Sequence, residues 1–271
     1  MQPSQQLYTA LAPRYREHFE SPHRRAYDAM AWDQVRAFLP DRGPIVDVGC
    51  GVGRWAEPLL ALGYEVIGIE PAPGMIAELR RADHGQAFRL ISEPMEAVQL
   101  PRGSAGMVLA LGSLQYSADP EAMVRRFARW VRPGGAVMVL VDSLVALVIE
   151  LLRDEKYAEA MQRLRTRIGV WAAAGQSAEM HLMDAERLRR AFQAAGLVDV
   201  RVSGLLATAA PLGRARLADR LERDWDAHLG IERELQAHPE LADIGKQLLA
   251  TGRRATAGTG DRDCRGLEPG G

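Results

Sequence analysis

The stretch "VDVGCGVGRW", residues 46–55, decides the fold. An apolar run ends here, and glycines then follow at 49, 51 and 53 with single residues between them. Ile45–Val48 is short and apolar, as a strand covered on both faces should be. One glycine would satisfy a tight turn; three imply that something lies directly against the main chain. A strand that ends in glycines and feeds a helix turns backbone N–H groups, and the helix's positive end, toward a bound ligand. The missing Cβ atoms let that ligand come close. Arg54 stands where a G-x-G-x-x-G dinucleotide fingerprint needs its last glycine, so the spacing departs from that pattern.

Outward from this loop the chain alternates between strand and helix signals. Ser21-Pro22 starts a helix that uses Tyr27, Met30, Ala31, Val35 and Phe38, and Pro40 ends it. After the glycines, Arg54–Leu62 reads as a helix closed by Gly63, and Glu65–Ile69 as a second strand. Met75, Ile76 and Leu79 mark a second crossover helix, Ala87–Ile91 a third strand and Met107–Leu111 a fourth. Asp119-Pro120 opens a helix with Met123, Val124, Phe127 and Val131 inward, stopped by "PGG" at 133–135. Ala136–Val141 is a further strand. The rhythm predicts an α/β fold, a doubly wound and mostly parallel sheet.

The rhythm breaks after Asp142. Residues 144–180, rich in Leu, Ala and Arg, read as helices. Alternation resumes at Asp184, a helix cap, followed by Leu188, Ala191, Phe192 and Ala195, closed by Gly196. Val198–Leu206 is a sixth strand. Leu217, Leu221, Trp225 and Leu229 then recur at helical spacing, and residues 246–254 form a last, seventh strand. The tail from Ala255 is Gly-rich and polar, and disorder is expected there.

Composition narrows the function classes. The 271 residues, 47% hydrophobic and 25% charged, describe an ordinary globular chain. A net charge of −1 supplies no field to draw it to nucleic acid or an anionic membrane. Cys50 and Cys264 lie far apart, outside any CxxC or Cys/His cluster, so neither a disulfide nor a metal site is expected. The beginning of the chain lacks the apolar core of a signal peptide, and the longest apolar runs fall short of a membrane span. A cytoplasmic monomer or homodimer is the expectation.

Four further features accompany the glycine loop. Asp47 precedes the first glycine, Glu70 ends the second strand, "MEAVQLP" (95–101) follows the third, and "VRPGGAVMVLV" (131–141) follows the fourth helix. Together they resemble class I S-adenosylmethionine-dependent methyltransferases, particularly the bacterial small-molecule type. The resemblance runs from about Tyr8 to Arg254 and is densest between Ile45 and Val141. It implies a Rossmann-like, seven-stranded sheet over residues 1–254, with helical insertions forming a lid. Residues 1–40 would supply lid helices; 144–182 and 212–244 would be helical additions on the substrate side.

By the same resemblance, Asp47, Gly49, Gly51 and Gly53 belong to the loop around the methionine portion of S-adenosylmethionine, and Glu70 holds the ribose hydroxyls. Pro71 and Met75 flank the adenine, Glu96 lies near its amine, and Ala97 supplies a backbone contact. Leu111 and Gly112 sit beneath the sulfonium, and Tyr15 closes over the carboxylate end. Met75 and Met95 fit a core role equally well, and Cys50 reads as a small buried filler. The chain departs from the family at Ala105-Gly106, where Phe-Asp is usual; a loosened strand start is expected.

A methyl acceptor with a hydroxyl or ammonium group needs a base to lose its proton; a carboxylate does not. His181, in "SAEMHLMD", is the leading candidate base and Tyr116 the next, with His18, His23 and Glu150 behind them. The implied acceptor is a small natural product or modified peptide, methylated on oxygen or nitrogen. Two alternatives stay open: a catalytically silent S-adenosylmethionine-binding subunit that needs a partner, and an NAD-dependent oxidoreductase. The second shares the strand–glycine–helix physics but lacks an evident hydride-transfer set.

Overall fold

The structure, a computed structural model, describes residues 1–256. In chain order the first half contains α1 (Pro3–Leu11), α2 (Pro22–Ala37), β1 (Ile45–Val48), α3 (Ala56–Ala61), β2 (Val66–Ile69), α4 (Pro73–Leu79), β3 (Phe88–Ile91), β4 (Ala105–Leu111), α5 (Pro120–Trp130) and β5 (Val131–Asp142). The second half contains α6 (Leu144–Arg153), α7 (Tyr157–Thr166), β6 (Ile168–Ala173), β7 (Gln176–His181), α8 (Ala185–Ala194), β8 (Leu197–Leu205), α9 (Ala209–Leu212), α10 (Arg214–Arg223), α11 (Trp225–Gln236) and β9 (Gln247–Arg254). The expectation of disorder from Ala255 onward falls, beyond Thr256, outside the described residues.

Seven strands make one sheet in the order β3-β2-β1-β4-β5-β9-β8, the Rossmann-like doubly wound arrangement. The first five are parallel, and β9 runs antiparallel between β5 and β8. The winding reverses between β1 and β4, which places a crevice beyond their carboxyl ends.

Alternating side chains feed a core on each face. Val46, Val48, Val108, Val137 and Val139 pack with Phe127 of α5 and Phe192 of α8. Ile45, Met107, Leu109, Met138 and Leu140 pack on the other face with Tyr27, Met30, Leu217 and Leu221 of α2 and α10. Phe127 and Phe192 are fully buried. Burial of each apolar side chain contributes about 1.5–3 kcal/mol, enough to hold the helices on a sheet whose strands are only four residues long at one edge.

The caps read from sequence are built as expected at two helices: Asp119 accepts from Ala122 N (2.8 Å) and Asp184 from Arg187 N (2.7 Å). Ser21 precedes α2 but makes no side-chain cap, and its hydroxyl is buried without a partner.

Two expectations need correction. Residues 144–180 are helical only to Thr166; the rest is an antiparallel hairpin of β6 and β7, turning at Ala174-Gly175 with φ of 49° and 71°. The alanine-rich run masks the strand alternation of Trp171, Ala178 and Met180, and the turn lacks the familiar Asn-Gly pair. Leu217 to Leu229 is two helices, broken at Asp224. The expected irregularity at the start of β4 is present, since its register against β5 shifts between Ala105 and Met107, but the segment is tied down. Gly106 N donates to Pro44 O (2.9 Å), and the absent Cβ admits the carbonyl of Arg42.

Candidate active site

One cavity of about 340 Å³ opens at the carboxyl ends of β1, β2, β3, β4 and β5. Gly49 and Gly51 line it after β1, Glu70 and Pro71 after β2, Met95 and Glu96 after β3, Leu111 and Gly112 after β4, and Asp142 after β5. Tyr8 and Tyr15 reach it from the N-terminal segment, Trp171 and Met180 from the hairpin, and Arg214 from the start of α10. Gly74 of α4 lets α1 come this close: a Cβ there would meet Thr9 O at 2.5 Å.

The three loop glycines all have positive φ, at 75°, 56° and 87°, but differ in what surrounds them. Gly49 packs against Ser113, whose hydroxyl donates to Val48 O (2.5 Å). Gly53 faces Leu79 and His84 and does not line the cavity. Gly51 is the open one; a Cβ there would meet only the Tyr15 ring, at 3.8 Å.

Two buried acids stand beside this loop. Glu70 accepts from Gly51 N (2.9 Å) through one oxygen and from Ala72 N (2.8 Å) through the other. Burial pushes its carboxyl up to about 7 against the pull of those two amides. Asp47 has an oxygen without any partner. Burial also pushes Asp47 up to about 7, with Arg54 pulling down and Glu70 pushing up. Arg54 is itself paired with Asp28 and lies 3.9 Å over the Phe19 ring. The loop end of the cavity is therefore short of positive charge.

The other end is aromatic. The Tyr8 ring lies 5.6 Å from Tyr116 and 5.3 Å from Trp171. Burial pushes the Tyr116 phenol up to about 12, so it stays protonated at neutral pH. Behind it, Gln115 Nε2 donates to Asp142 Oδ2 (3.1 Å) and Gln247 Nε2 to Asp142 Oδ1 (3.2 Å), which fixes the acid at the cavity floor. His18 also lines the cavity, and its ring lies 6.2 Å from Trp171. Burial, then repulsion by Arg24, Arg214 and Arg54, lowers His18 to about 4; its imidazole is neutral at pH 7 and able to accept a proton.

Comparisons with known proteins accord with this geometry. A methyltransferase-domain family model matches residues 46–139, the span from β1 to β5. That match supports the resemblance to class I S-adenosylmethionine-dependent methyltransferases. A ubiquinone biosynthesis O-methyltransferase from Methylobacterium sp. is 29% identical over 164 residues, 60% of this chain and 62% of that one. The enzyme of the same name from Pseudomonas paraeruginosa is 34% identical over 112 residues, 40% of this chain and 47% of that one. The chain thus spans less than two thirds of either curated relative. The CcbJ methyltransferase from Streptomyces caelestis shares the fold, with a TM-score of 0.58 at 16% identity over 92% of this chain and 98% of that one.

Of the residues that the resemblance picks out, Tyr15, Gly49, Gly51, Glu70, Pro71, Glu96, Leu111, Gly112 and Tyr116 all reach the cavity. Four other residues expected at the cofactor do not line it. Asp47 lies buried behind the loop, and Gly53 packs on α4. Met75 is core, packed with Ala12, Val52 and Ala72. Ala97 is exposed, and its N–H is taken by Pro94 O (2.9 Å). His181, expected as a base, does not line the cavity either. Its neighbours Met180 and Leu182 do, because successive residues along an extended strand point to opposite sides. Tyr8, Trp171, Arg24, Arg214 and the Asp142 network carry no local motif; only their convergence in space marks them.

Proposed function

We propose that the chain is an S-adenosylmethionine-dependent methyltransferase acting on an oxygen or nitrogen of a small natural product or modified peptide. The observation that carries this reading is a pair of buried acids, Asp47 with an unpartnered oxygen and Glu70 on the loop amides, flanking the bare main chain of Gly51 beside one cavity. S-adenosylmethionine supplies, when bound, an electrophilic methyl group on a cationic sulfur. The residues suit its chemistry. Two carboxyls raised to about 7 regain their charge beside a cation. Glu70 retains lone pairs for ribose hydroxyls, and a Cβ on Gly112 would meet nothing within 4 Å, which leaves open space there.

The chain's own contribution is positioning and exclusion of water. Gly51 and Glu70 hold one side of the cavity; Tyr8, Tyr116 and Trp171 form the wall against which an acceptor lies. His18, neutral and beside that wall, offers a ring nitrogen that can accept a hydrogen bond from the acceptor's hydroxyl or ammonium group. Residues 1–254 act in this reading as one domain, with 1–40 as the lid and 144–182 and 212–244 on the acceptor side. Tyr8, Trp171 and Arg214, one from each, support that division. The names of the two O-methyltransferase relatives favour oxygen as the acceptor atom.

Calorimetry tests this. The protein should bind S-adenosylhomocysteine saturably, and Glu70→Gln should weaken binding by about tenfold or more, roughly 1.4 kcal/mol. In that variant an amide NH2 faces a backbone N–H that the carboxylate accepts. An intact, folded protein that binds neither S-adenosylmethionine nor S-adenosylhomocysteine rejects the proposal.

A further inference from the structure

The cavity has an end that methyl-donor binding does not account for. A small chamber continues it, and the two share Arg24, Tyr27, Glu150, Arg214, Lys246 and Gln247 as lining. Three cations therefore meet in one place. Lys246 is already neutralised, with Nζ 2.6 Å from Glu150 Oε2. The other two are not: among the described residues neither Arg24 nor Arg214 pairs with a carboxylate, and the Nε of Arg24 is buried without a hydrogen-bond partner. The guanidinium of Arg24 lies 5.4 Å over the Phe19 ring, which presents it without consuming its donors.

Position adds to charge. Arg24 stands in the first turn of α2 and Arg214 opens α10, and these two helices pack together through Tyr27, Met30, Leu217 and Leu221. Both helices begin at residues that line the chamber, His23 and Arg24 of α2 and Arg214 of α10. His18 and His23, beside these arginines, are both lowered to about 4, by burial first and by the surrounding cations second, so neither adds charge of its own at neutral pH. A planar guanidinium with free donors matches an oxyacid group in two-pronged fashion. The aromatic wall of Trp171, Tyr8 and Tyr116 adjoins this cationic end within one cavity.

We infer that Arg24 and Arg214 form an anion-binding subsite that holds an oxyacid group, carboxylate or phosphate, of a planar acceptor lying against Trp171, Tyr8 and Tyr116. The inference rests on the methyltransferase reading of the same cavity. It names the substrate class: an aromatic or conjugated acid, anchored by its charge at the chamber and presenting its hydroxyl or amine toward Gly112. The anchor sets orientation, because a ring held at one end by two arginines cannot slide along the wall.

Paired probes test it, titrated with and without saturating S-adenosylhomocysteine. Para-hydroxybenzoate is set against its methyl ester, and phenyl phosphate against phenol, with affinity read by calorimetry. At least one anion should bind about tenfold or more tightly than its neutral counterpart. That preference should vanish in Arg24→Gln and in Arg214→Gln, while both variants keep wild-type affinity for S-adenosylhomocysteine as proof of folding. Preference in the carboxylate arm alone, or in the phosphate arm alone, supports the subsite and identifies its group. No preference in either arm, or a preference that survives both substitutions, overturns the inference. Loss of S-adenosylhomocysteine binding in the wild-type protein is read separately; it rejects the methyltransferase proposal and leaves the anion arms, run without that ligand, to judge the subsite.

Discussion

At Gly49, Gly51 and Gly53 the same backbone conformation serves three different neighbours. A positive φ costs a residue with a side chain about 1–2 kcal/mol, so each position favours glycine on that ground alone. Space separates them. An alanine at 49 runs into the Cβ of Ser113, which is itself tied to Val48 O, so Gly49→Ala disturbs the junction of β1 and β4. An alanine at 51 meets only Tyr15 at ordinary contact distance and projects into the cavity. Gly51→Ala should therefore keep the fold, with a denaturation midpoint above that of Gly49→Ala, yet bind S-adenosylhomocysteine at least about tenfold more weakly than wild type. Denaturant titration and calorimetry on the two variants check this; equal midpoints with equal affinities would contradict it. Here the sequence showed that the chain must be bare at three places. It did not show that Gly53 is bare for packing, that Gly49 both packs on Ser113 and lines the cavity, and that Gly51 opens into it.

Among the elements, α1 and the β6–β7 hairpin bring Tyr8 and Trp171 together on the cavity wall, and they differ in legibility. The family resemblance picks out the N-terminal segment as a lid and Tyr15 within it, though not Tyr8. The hairpin does not: "VWAAAGQSAEMH" has the alanine content of a helix and a turn of Ala-Gly, and only its pairing in three dimensions makes it a hairpin. That misreading also put His181 at the cavity, because helical spacing hides the two-residue period that turns it away. The seat of α1 depends on Gly74, where α4 touches the main chain of Thr9 and Gly74 N meets Thr9 Oγ1 at 3.4 Å. Gly74→Ala should lift α1. Amide exchange in residues 3–11 should rise by about tenfold while the strands of the sheet stay protected, as expected when one element opens locally. Uniform protection across both regions would show that α1 is held by other contacts.

For the whole molecule, the consequence of placing two acids and two imidazoles in poorly solvated positions is a pH signature. Asp47 and Glu70 titrate at about 7 in the folded chain and at about 4 when unfolded, so between those values the native state binds the extra protons. Their contribution to stability falls as pH rises through that window and is level above it. His18 and His23 are lowered to about 4 in the folded chain against about 6.5 unfolded, so their contribution rises with pH up to about 6.5. The two effects oppose each other below about pH 6.5. Above it the acids act alone, and the midpoint of ligand-free protein should drop between about pH 6.5 and 7.5. Binding of the cationic S-adenosylmethionine near pH 7 should release protons as Asp47 and Glu70 ionise. Calorimetry in buffers of different ionisation enthalpy measures that release, and proton uptake would contradict the assignment.

What the sequence by itself determined is the winding of the sheet and the loop at its switch point. Those rest on local signals: apolar strands, glycines after β1, an acid after β2, and caps at Asp119 and Asp184. Only the tertiary structure decided the far wall of the cavity. Tyr8, Trp171, Arg24 and Arg214 are scattered over more than two hundred positions of chain and belong to four separate segments. A local pattern records what a residue does to its own backbone, whereas a cavity wall or a pair of unneutralised arginines exists only after distant segments have packed. The physical reason is the same for His181 and for Met75. Which side a residue faces follows from the element it joins, and that element is chosen by its partners.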